Sequence, residues 1–405
     1  MYSTVNAEEG DNYIKGSSYN TISAGSGNDT IDLSNYTYIS VNAGNGNNSI
    51  SSNSSNVTIV TGSGADIIGN FNRNGSNSSI AVITSGEGDD SIGNDISYTT
   101  INSGAGNDTI GNGNGDGNDT IQNYNINVDS NVTMNGDSGD DVIYNHGGGK
   151  IVVMGGSGND SIHNSGNYSS INGEADDDYM AVYSVIYNTI SGGEGNDTVY
   201  LSDGDYSYID MGNGADSIYG ENVDASTVNA GSGKDTINGS FVNGSSVNAG
   251  NDDDMINVIA VDSTINGGLG NDWISNSNHS RNIIIGGVGN DTISLSSSSA
   301  DFNSDGNNIN YSNGDGNDIV FGFGNNDTLH IMSGNVSKIT VNGNDVIFNV
   351  GSGSITLKDK VDSTVYYKVG NGALQSTVIN SKDTKDIQGT SGADNISNLV
   401  KHYSG

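Results

Sequence analysis

Short bursts of alternating apolar and polar residues recur along this chain. One apolar set is Ile22, Val41, Ile59, Ile83, Ile101, Met134, Val153, Ile171, Ile190, Ile209, Val228, Val247, Ile265 and Ile284. A second set includes Ile31, Ile50, Ile68, Ile92, Ile110, Ile143 and Ile162. Each member is flanked by polar residues, the period-2 signature of a short strand buried on one face. Two short strands and two turns fill 18 or 19 residues, which is one coil of a flattened parallel solenoid. The predicted fold is therefore all-β, a parallel β-roll or β-solenoid with a thin core of stacked isoleucine and valine. About 15 coils stacked roughly 4.8 Å apart would run about 70 Å.

The turns carry the second pattern. GxGxDx[IV] occurs twelve times, as GSGNDTI at 25, GSGADII at 62, GEGDDSI at 86, GAGNDTI at 104, GDGNDTI at 115, GSGNDSI at 156, GEGNDTV at 193, GNGADSI at 212, GSGKDTI at 231, GLGNDWI at 268, GVGNDTI at 287 and GDGNDIV at 314. Degenerate copies (GNGNNSI at 44, DSGDDVI at 137, EADDDYM at 174, GNDDDMI at 250, TSGADNI at 390) fill the gaps. From Asp141 to Asp291 the key aspartates are spaced by 18 or 19 residues, and a fixed period of this kind means a repeat architecture. Longer gaps, from 66 to 90, 108 to 141 and 291 to 318, predict loops bulging from a turn. Asp119 follows Asp108 by only 11 residues, which puts it either on the opposite edge or in such a bulge.

Composition narrows the function. Of 405 residues, 61 are glycine, none is proline or cysteine, and 12 basic against 48 acidic side chains give a formal charge of −36. So little apolar content with so much charge would ordinarily mean disorder. The missing proline, where about 20 would be usual, instead suits a chain that is nearly all ladder-bonded strand. Zero cysteine excludes disulfides and thiolate metal sites. The acidic balance argues against nucleic acid, no apolar run is long enough to span a bilayer, and the N-terminus has no cleavable secretory pattern.

Stacking would set the motif aspartates in a column about 4.8 Å apart, with a repulsion of roughly 3 to 4 kcal/mol per neighbouring pair at an effective dielectric of 20. Residues 1–337 hold 42 acidic and only 5 basic side chains, too few for protein cations to neutralise that column. It must protonate, stay unfolded or bind metal. Carboxylates with the carbonyls of glycine turns suit Ca2+, which takes six to eight oxygens, better than Zn2+.

These repeats resemble the RTX nonapeptide family, GGxGxDxUx, a Ca2+-binding parallel β-roll. The resemblance covers roughly residues 20–320. It implies metal ligands at Asp29, Asp66, Asp90, Asp108, Asp119, Asp141, Asp160, Asp178, Asp197, Asp216, Asp235, Asp254, Asp272, Asp291 and Asp318. It also implies backbone carbonyl ligands at Gly25, Gly27, Gly193, Gly195, Gly212, Gly214, Gly231, Gly233, Gly268, Gly270, Gly287 and Gly289. Tandem nonapeptides put the motif on both edges, but the other half-coil here reads STVNA, SSVNA or STINGG, so one column of several calcium ions is expected. Asn48 replaces one aspartate and should weaken that coil's site. Ala24, Ala43, Thr61, Ser85, Met211, Ala230 and Ala249 replace the first glycine, and Asp176 and Asp252 the second.

After residue 320 the pattern changes. KITVNGNDVIFNV and GSGSITLKD alternate Ile339, Val341, Val346, Phe348, Val350, Ile355 and Leu357 around an NG turn, predicting an antiparallel meander that closes the solenoid. The expected organisation is a repeat array at 1–320, a cap at 321–375, and at 376–405 a linker with the start of a further block of a larger protein. The resemblance implies secretion or a cell-surface location by a type I route, and calcium-triggered folding of a rigid spacer, adhesin part, or toxin export block. Calcium ions are the expected partners, with host or matrix surfaces reached through the parent protein. The rivals are a calcium-independent fibre or adhesin and the non-catalytic repeat part of a secreted enzyme.

No catalytic residue or organic cofactor is expected. GDSGD at 136–140 falls in register with the repeat, the five histidines share no metal spacing, GSGKDT at 231 lacks a phosphate-loop ending, and no DxD cluster has an EF-hand glutamate. The 20 tyrosines read as scattered, partly buried β-formers rather than a sugar-binding strip.

Overall fold

The computed structural model describes residues 3–16, 18–33, 36–70, 81–94, 99–104, 109–112, 120–123, 132–146, 150–184, 186–277, 281–295, 306–380 and 387–388. The described chain is all-β, a parallel β-solenoid of about 14 coils roughly 19 residues apart. It divides into two compact units, residues 1–210 and 211–405.

In unit 1 the two apolar sets form two parallel ladders. Ile22, Val41, Ile59, Ile83 and Ile101 pair in that order. Ile31, Ile50, Ile68, Ile92 and Ile110 pair in theirs. All are buried, so the core is a double row of β-branched side chains stacked on their own kind. Then the rows exchange partners. Ile101 pairs with Ile121 and Ile121 with Ile143, residues that follow an aspartate by two, while Ile110 pairs with Met134 and Met134 with Val153, which precede a motif. The cause is the 11-residue step from Asp108 to Asp119. Half a coil of extra sequence moves the later motif turns of unit 1 to the opposite edge.

Buried amides reinforce this unit. Asn123 Nδ2 donates to Asn145 Oδ1 at 2.8 Å, Asn145 Nδ2 to Asn164 Oδ1 at 2.6 Å, and Asn164 Nδ2 to Gly166 O at 2.9 Å. Each rung satisfies the next, which is what makes a polar ladder tolerable in a core.

The tyrosines are less scattered than the sequence suggested. Tyr168, Tyr187 and Tyr206 stack at 5.3 and 5.1 Å, and Tyr19 stacks on Tyr38 at 5.3 Å. Their sequence spacing of 19 puts them at one position of successive coils. All five have positive φ, between 52° and 63°, and are exposed; Tyr19, Tyr168, Tyr187 and Tyr206 stand on turns without the motif, and Tyr38 lies at the start of the strand Thr37–Gly44.

Unit 2 repeats the arrangement. Ile218, Ile237, Ile256, Ile274, Ile293 and Val320 form one row. Val228, Val247, Ile265, Ile284, Ile309 and Leu329 form the other. The closing meander is present, with Val336–Asn342, Asp345–Val350 and Gly353–Leu357 pairing antiparallel. Six of its seven predicted apolar positions are buried, and Val341 is partly exposed. The meander then rejoins the ladder. Gly353–Leu357 pairs parallel with Asn317–Phe321, and Thr364–Val369 pairs parallel with Thr328–Ile331.

Replacing the fully buried Ile237 by alanine should cost about 2 to 5 kcal/mol of folding stability. The same change at Ile259, which is 49% exposed, should cost well under half as much. Urea unfolding in saturating calcium, followed by circular dichroism, compares the two.

Candidate metal centre

Each motif turn is tight because its glycines permit it. Gly231 and Gly233 have φ of 115° and 119°, where other residues are strained. A Cβ on either would fall 2.0 or 1.8 Å from the carbonyl oxygen of Gly212 or Gly214 in the coil before. The turn carbonyls therefore point along the stack, into the space between coils. Asp176 and Asp252, which replace second glycines, adopt the same left-handed backbone, with φ of 76° and 77°.

Beside these carbonyls the motif aspartates form ladders. In unit 1 the Asp141 N–H donates to Asp160 Oδ1, Asp160 to Asp178 and Asp178 to Asp197, each at 2.8 Å. In unit 2 the series Asp216, Asp235, Asp254, Asp272, Asp291 and Asp318 is linked in the same way at 2.8 to 3.0 Å. Another ladder in unit 1 runs through Asn12, Asp29, Asn48, Asp66 and Asp90 at 2.8 to 3.1 Å.

On eight of these rungs one carboxylate oxygen is thus used and the other is stranded. The Oδ2 atoms of Asp29, Asp66, Asp160, Asp178, Asp235, Asp254, Asp272 and Asp291 are buried without a hydrogen-bond partner. Where the residue five places earlier is glycine, that oxygen lies over it. A Cβ on Gly155, Gly173, Gly267 or Gly286 would fall 2.2 to 2.4 Å from Oδ2 of its own coil's aspartate. Coils with Ala24, Ala43, Ala230 or Ala249 bury a methyl group at that position.

Burial sets the acidity of these groups. It pushes Asp197, Asp235 and Asp272 up to about 6, Asp160 and Asp291 up to about 7, and Asp178, Asp254 and Asp318 up to about 8. The N–H bond from the neighbouring rung opposes this shift without cancelling it. The ion pairs of Lys15, Lys234, Arg281 and Lys358 go to Asp32, Asp253, Asp262 and Asp345, all outside the column.

The donor set fits a hard cation. It consists of oxygens, the stranded carboxylate oxygens and the turn carbonyls. Among the described residues no three His, Cys, Asp or Glu side chains converge on one point, so a bound ion would take much of its shell from turn carbonyls. That is calcium chemistry rather than zinc chemistry.

Of the aspartates expected as ligands, thirteen lie on these ladders, and Asp108 and Asp119 fall outside the described residues. The expectation of a single column needs correction. Outside the coil that holds both GAGNDTI at 104 and GDGNDTI at 115, the coils of unit 1 carry the motif on one edge only, and the partner exchange at Ile101 and Ile110 puts the rungs up to Asp90 and those from Asp141 on opposite edges of unit 1. Half a period of added sequence is the reason.

Three features escaped the sequence reading. Asn12 is a rung of the first ladder. The residue before each aspartate forms an exposed ladder of opposite sense, in which the Asn159 N–H donates to Asp140 Oδ1, Asp177 to Asn159 and Asn196 to Asp177. The turns without the motif carry mostly neutral rungs, although the unit 2 series ends where the Asn307 N–H donates to Asp327 Oδ1 at 2.8 Å. Ser169 donates to Asn188 in unit 1, and in unit 2 Ser245 donates to Ser263, Ser263 to Asn282 and Asn282 to Asn307. The recurring asparagine of GxGND was the visible signal for the exposed ladder.

The family model for the RTX calcium-binding nonapeptide repeat matches residues 6–35, 42–69, 187–207, 261–277, 280–297 and 314–335. These segments carry RTX-type nonapeptide repeats. The matched RTX segments include both the Asn12 to Asp66 ladder and the Asp272 to Asp318 rungs of unit 2. No curated protein sequence matches the chain. Among solved structures, the extracellular lipase LipA from Serratia marcescens matches with 15% identity and a TM-score of 0.23, over 54% of this chain and 38% of the lipase chain. A likeness at that level carries nothing about activity.

The acidities fix a pH dependence for the metal-free chain. Aspartates with raised folded values take up protons on folding, so their contribution is complete below the unfolded value near 4 and is lost as pH rises through 6 to 8. In chelator the melting temperature should fall steadily from pH 5 to 8.5. Calcium should flatten that decline, and calcium added near pH 7 to weakly buffered protein should release protons. A melting temperature that rises over this range in chelator would contradict the assignment.

Proposed function

We propose that this chain is a calcium-folded structural module of a secreted or cell-surface protein, serving as a rigid spacer or adhesin element or as the export-and-folding block of a larger chain. The observation that carries this reading is the row of buried, stranded carboxylate oxygens without basic partners. In calcium-poor surroundings an acidic rung with acids on both sides must either bind a proton or leave the fold. At millimolar calcium the binding free energy of the ions becomes folding free energy. The RTX family match supports calcium as the ion and an extracellular setting. The aspartates hold the ions through Oδ2, and the glycine turns supply carbonyls and the close approach of coils. Ions are the direct partners, while host or matrix surfaces would be contacted by the parent protein. Among the described residues no helix is long and apolar enough to cross a membrane.

The test is the hydrodynamic radius of the full 41.6 kDa chain, measured in chelator and in calcium, with Mg2+ as control. It should contract on adding calcium and not magnesium. Asp178→Asn and Asp254→Asn should each lower bound calcium by about one or two ions per chain and raise the midpoint severalfold. A chain equally compact in chelator, with no bound ions at millimolar calcium, would overturn the proposal.

A further inference from the structure

Two rungs of the first ladder in unit 1 are amides, and their bonds differ from those of an aspartate rung. Asn48 Nδ2 donates to Gly44 O at 3.2 Å, to Gly46 O at 2.9 Å and to Asp66 Oδ1 at 3.0 Å. Its Oδ1 accepts the Asp29 N–H at 3.1 Å. Asn12 Nδ2 donates in the same sense to Gly10 O at 2.5 Å and more weakly to Ala24 O at 3.4 Å. The Asn48 amide nitrogen thus bonds to two turn carbonyls and a carboxylate oxygen, where an aspartate rung has an acceptor instead. At the equivalent atom of Asp29 or Asp66 stands an Oδ2 without a partner.

We propose that the Asn48 amide is a built-in substitute for a bound ion. Its nitrogen marks the seat, formed by the carbonyls four and two residues before the rung and the carboxylate of the next coil. The first ladder of unit 1 accordingly folds without calcium, whereas the ladder from Asp141 to Asp197 requires it. This rests on the calcium reading above and deepens it. The sequence of rungs agrees with the chemistry. Asn12, Asp29, Asn48 and Asp66 alternate neutral and acidic, so none of these acids has acids on both sides, while Asp141, Asp160, Asp178 and Asp197 are acidic throughout. The same amide that removes a charge also donates to the carboxylate above it, leaving the rung with no cation to recruit. Substitution of aspartate by asparagine, which the sequence reading took as a weakened site, is on this geometry a site made permanent.

Hydrogen exchange by mass spectrometry on the full chain separates the possibilities. In chelator, peptides from 36–70 should exchange at least tenfold more slowly than peptides from 150–184, and calcium should protect both. Asn48→Asp should abolish the protection of 36–70 in chelator, restore it in calcium, and add at least one calcium per chain in a competition titration with a chelating dye. Asn48→Ala removes the donors without adding charge, and should lose protection in chelator with no added ion. If 36–70 and 150–184 are equally unprotected in chelator and equally protected in calcium, the inference fails and the calcium reading stands. If calcium neither binds nor changes exchange anywhere, the calcium reading itself fails. If Asn48→Asp matches the unmodified chain in chelator, or fails to fold in saturating calcium, the assignment of the seat is wrong.

Discussion

Carboxylates stacked one strand spacing apart and shielded from water need a counter-charge, and this chain provides almost none. The solenoid brings Asp141, Asp160, Asp178 and Asp197 into line because the parallel ladders stack identical positions of successive coils. Asp160 and Asp178 each spend one oxygen on the N–H of the neighbouring rung and leave the other stranded. Folding is thereby coupled to whatever supplies positive charge, whether a proton in acid or a divalent cation near neutrality. The apolar rows cannot relieve that dependence. They are thin, built mostly from isoleucine and valine, and only about a third of the sequence is apolar at all, 32%.

The opposite turns meet a similar constraint with neutral chemistry. Serine and asparagine rungs, as in Ser263 to Asn282 to Asn307, satisfy backbone donors along the stack without accumulating charge. Most coils therefore have an acidic edge and an edge of neutral rungs, the latter ending in unit 2 on the buried Asp327. Within unit 1 the charged edge changes sides, and the amides at positions 12 and 48 dilute its charge before the change.

Much of this was legible because the fold repeats in one dimension. A period of 18 or 19 residues maps each sequence position directly onto a place in the coil, so the isoleucine rows and the aspartate ladders followed from spacing. The side change was present as the 11-residue step to Asp119, but its consequence depends on which strands pair, and spacing left two placements open. Asn48 read as a defect because an asparagine was judged as a poor ligand and not as a hydrogen-bond donor. The tyrosine stacks went unseen for a related reason. Residue type suggested strands, whereas the 19-residue spacing of Tyr168, Tyr187 and Tyr206 and their left-handed backbone put them on turns.

Trp273 offers the most direct view of the coupling between metal and fold. It is the chain's single tryptophan, it stands between the rung Asp272 and the buried Ile274, and it is about half exposed at the start of Trp273–Asn276. The decisive measurement is a Ca2+ titration of chelator-stripped protein that follows Trp273 emission and far-UV circular dichroism together, with Mg2+ in parallel. The account predicts that both signals move in one cooperative transition between micromolar and millimolar calcium, and that magnesium leaves them unchanged. A chelated chain that already shows its full β signal, with Trp273 emission insensitive to calcium, would contradict it.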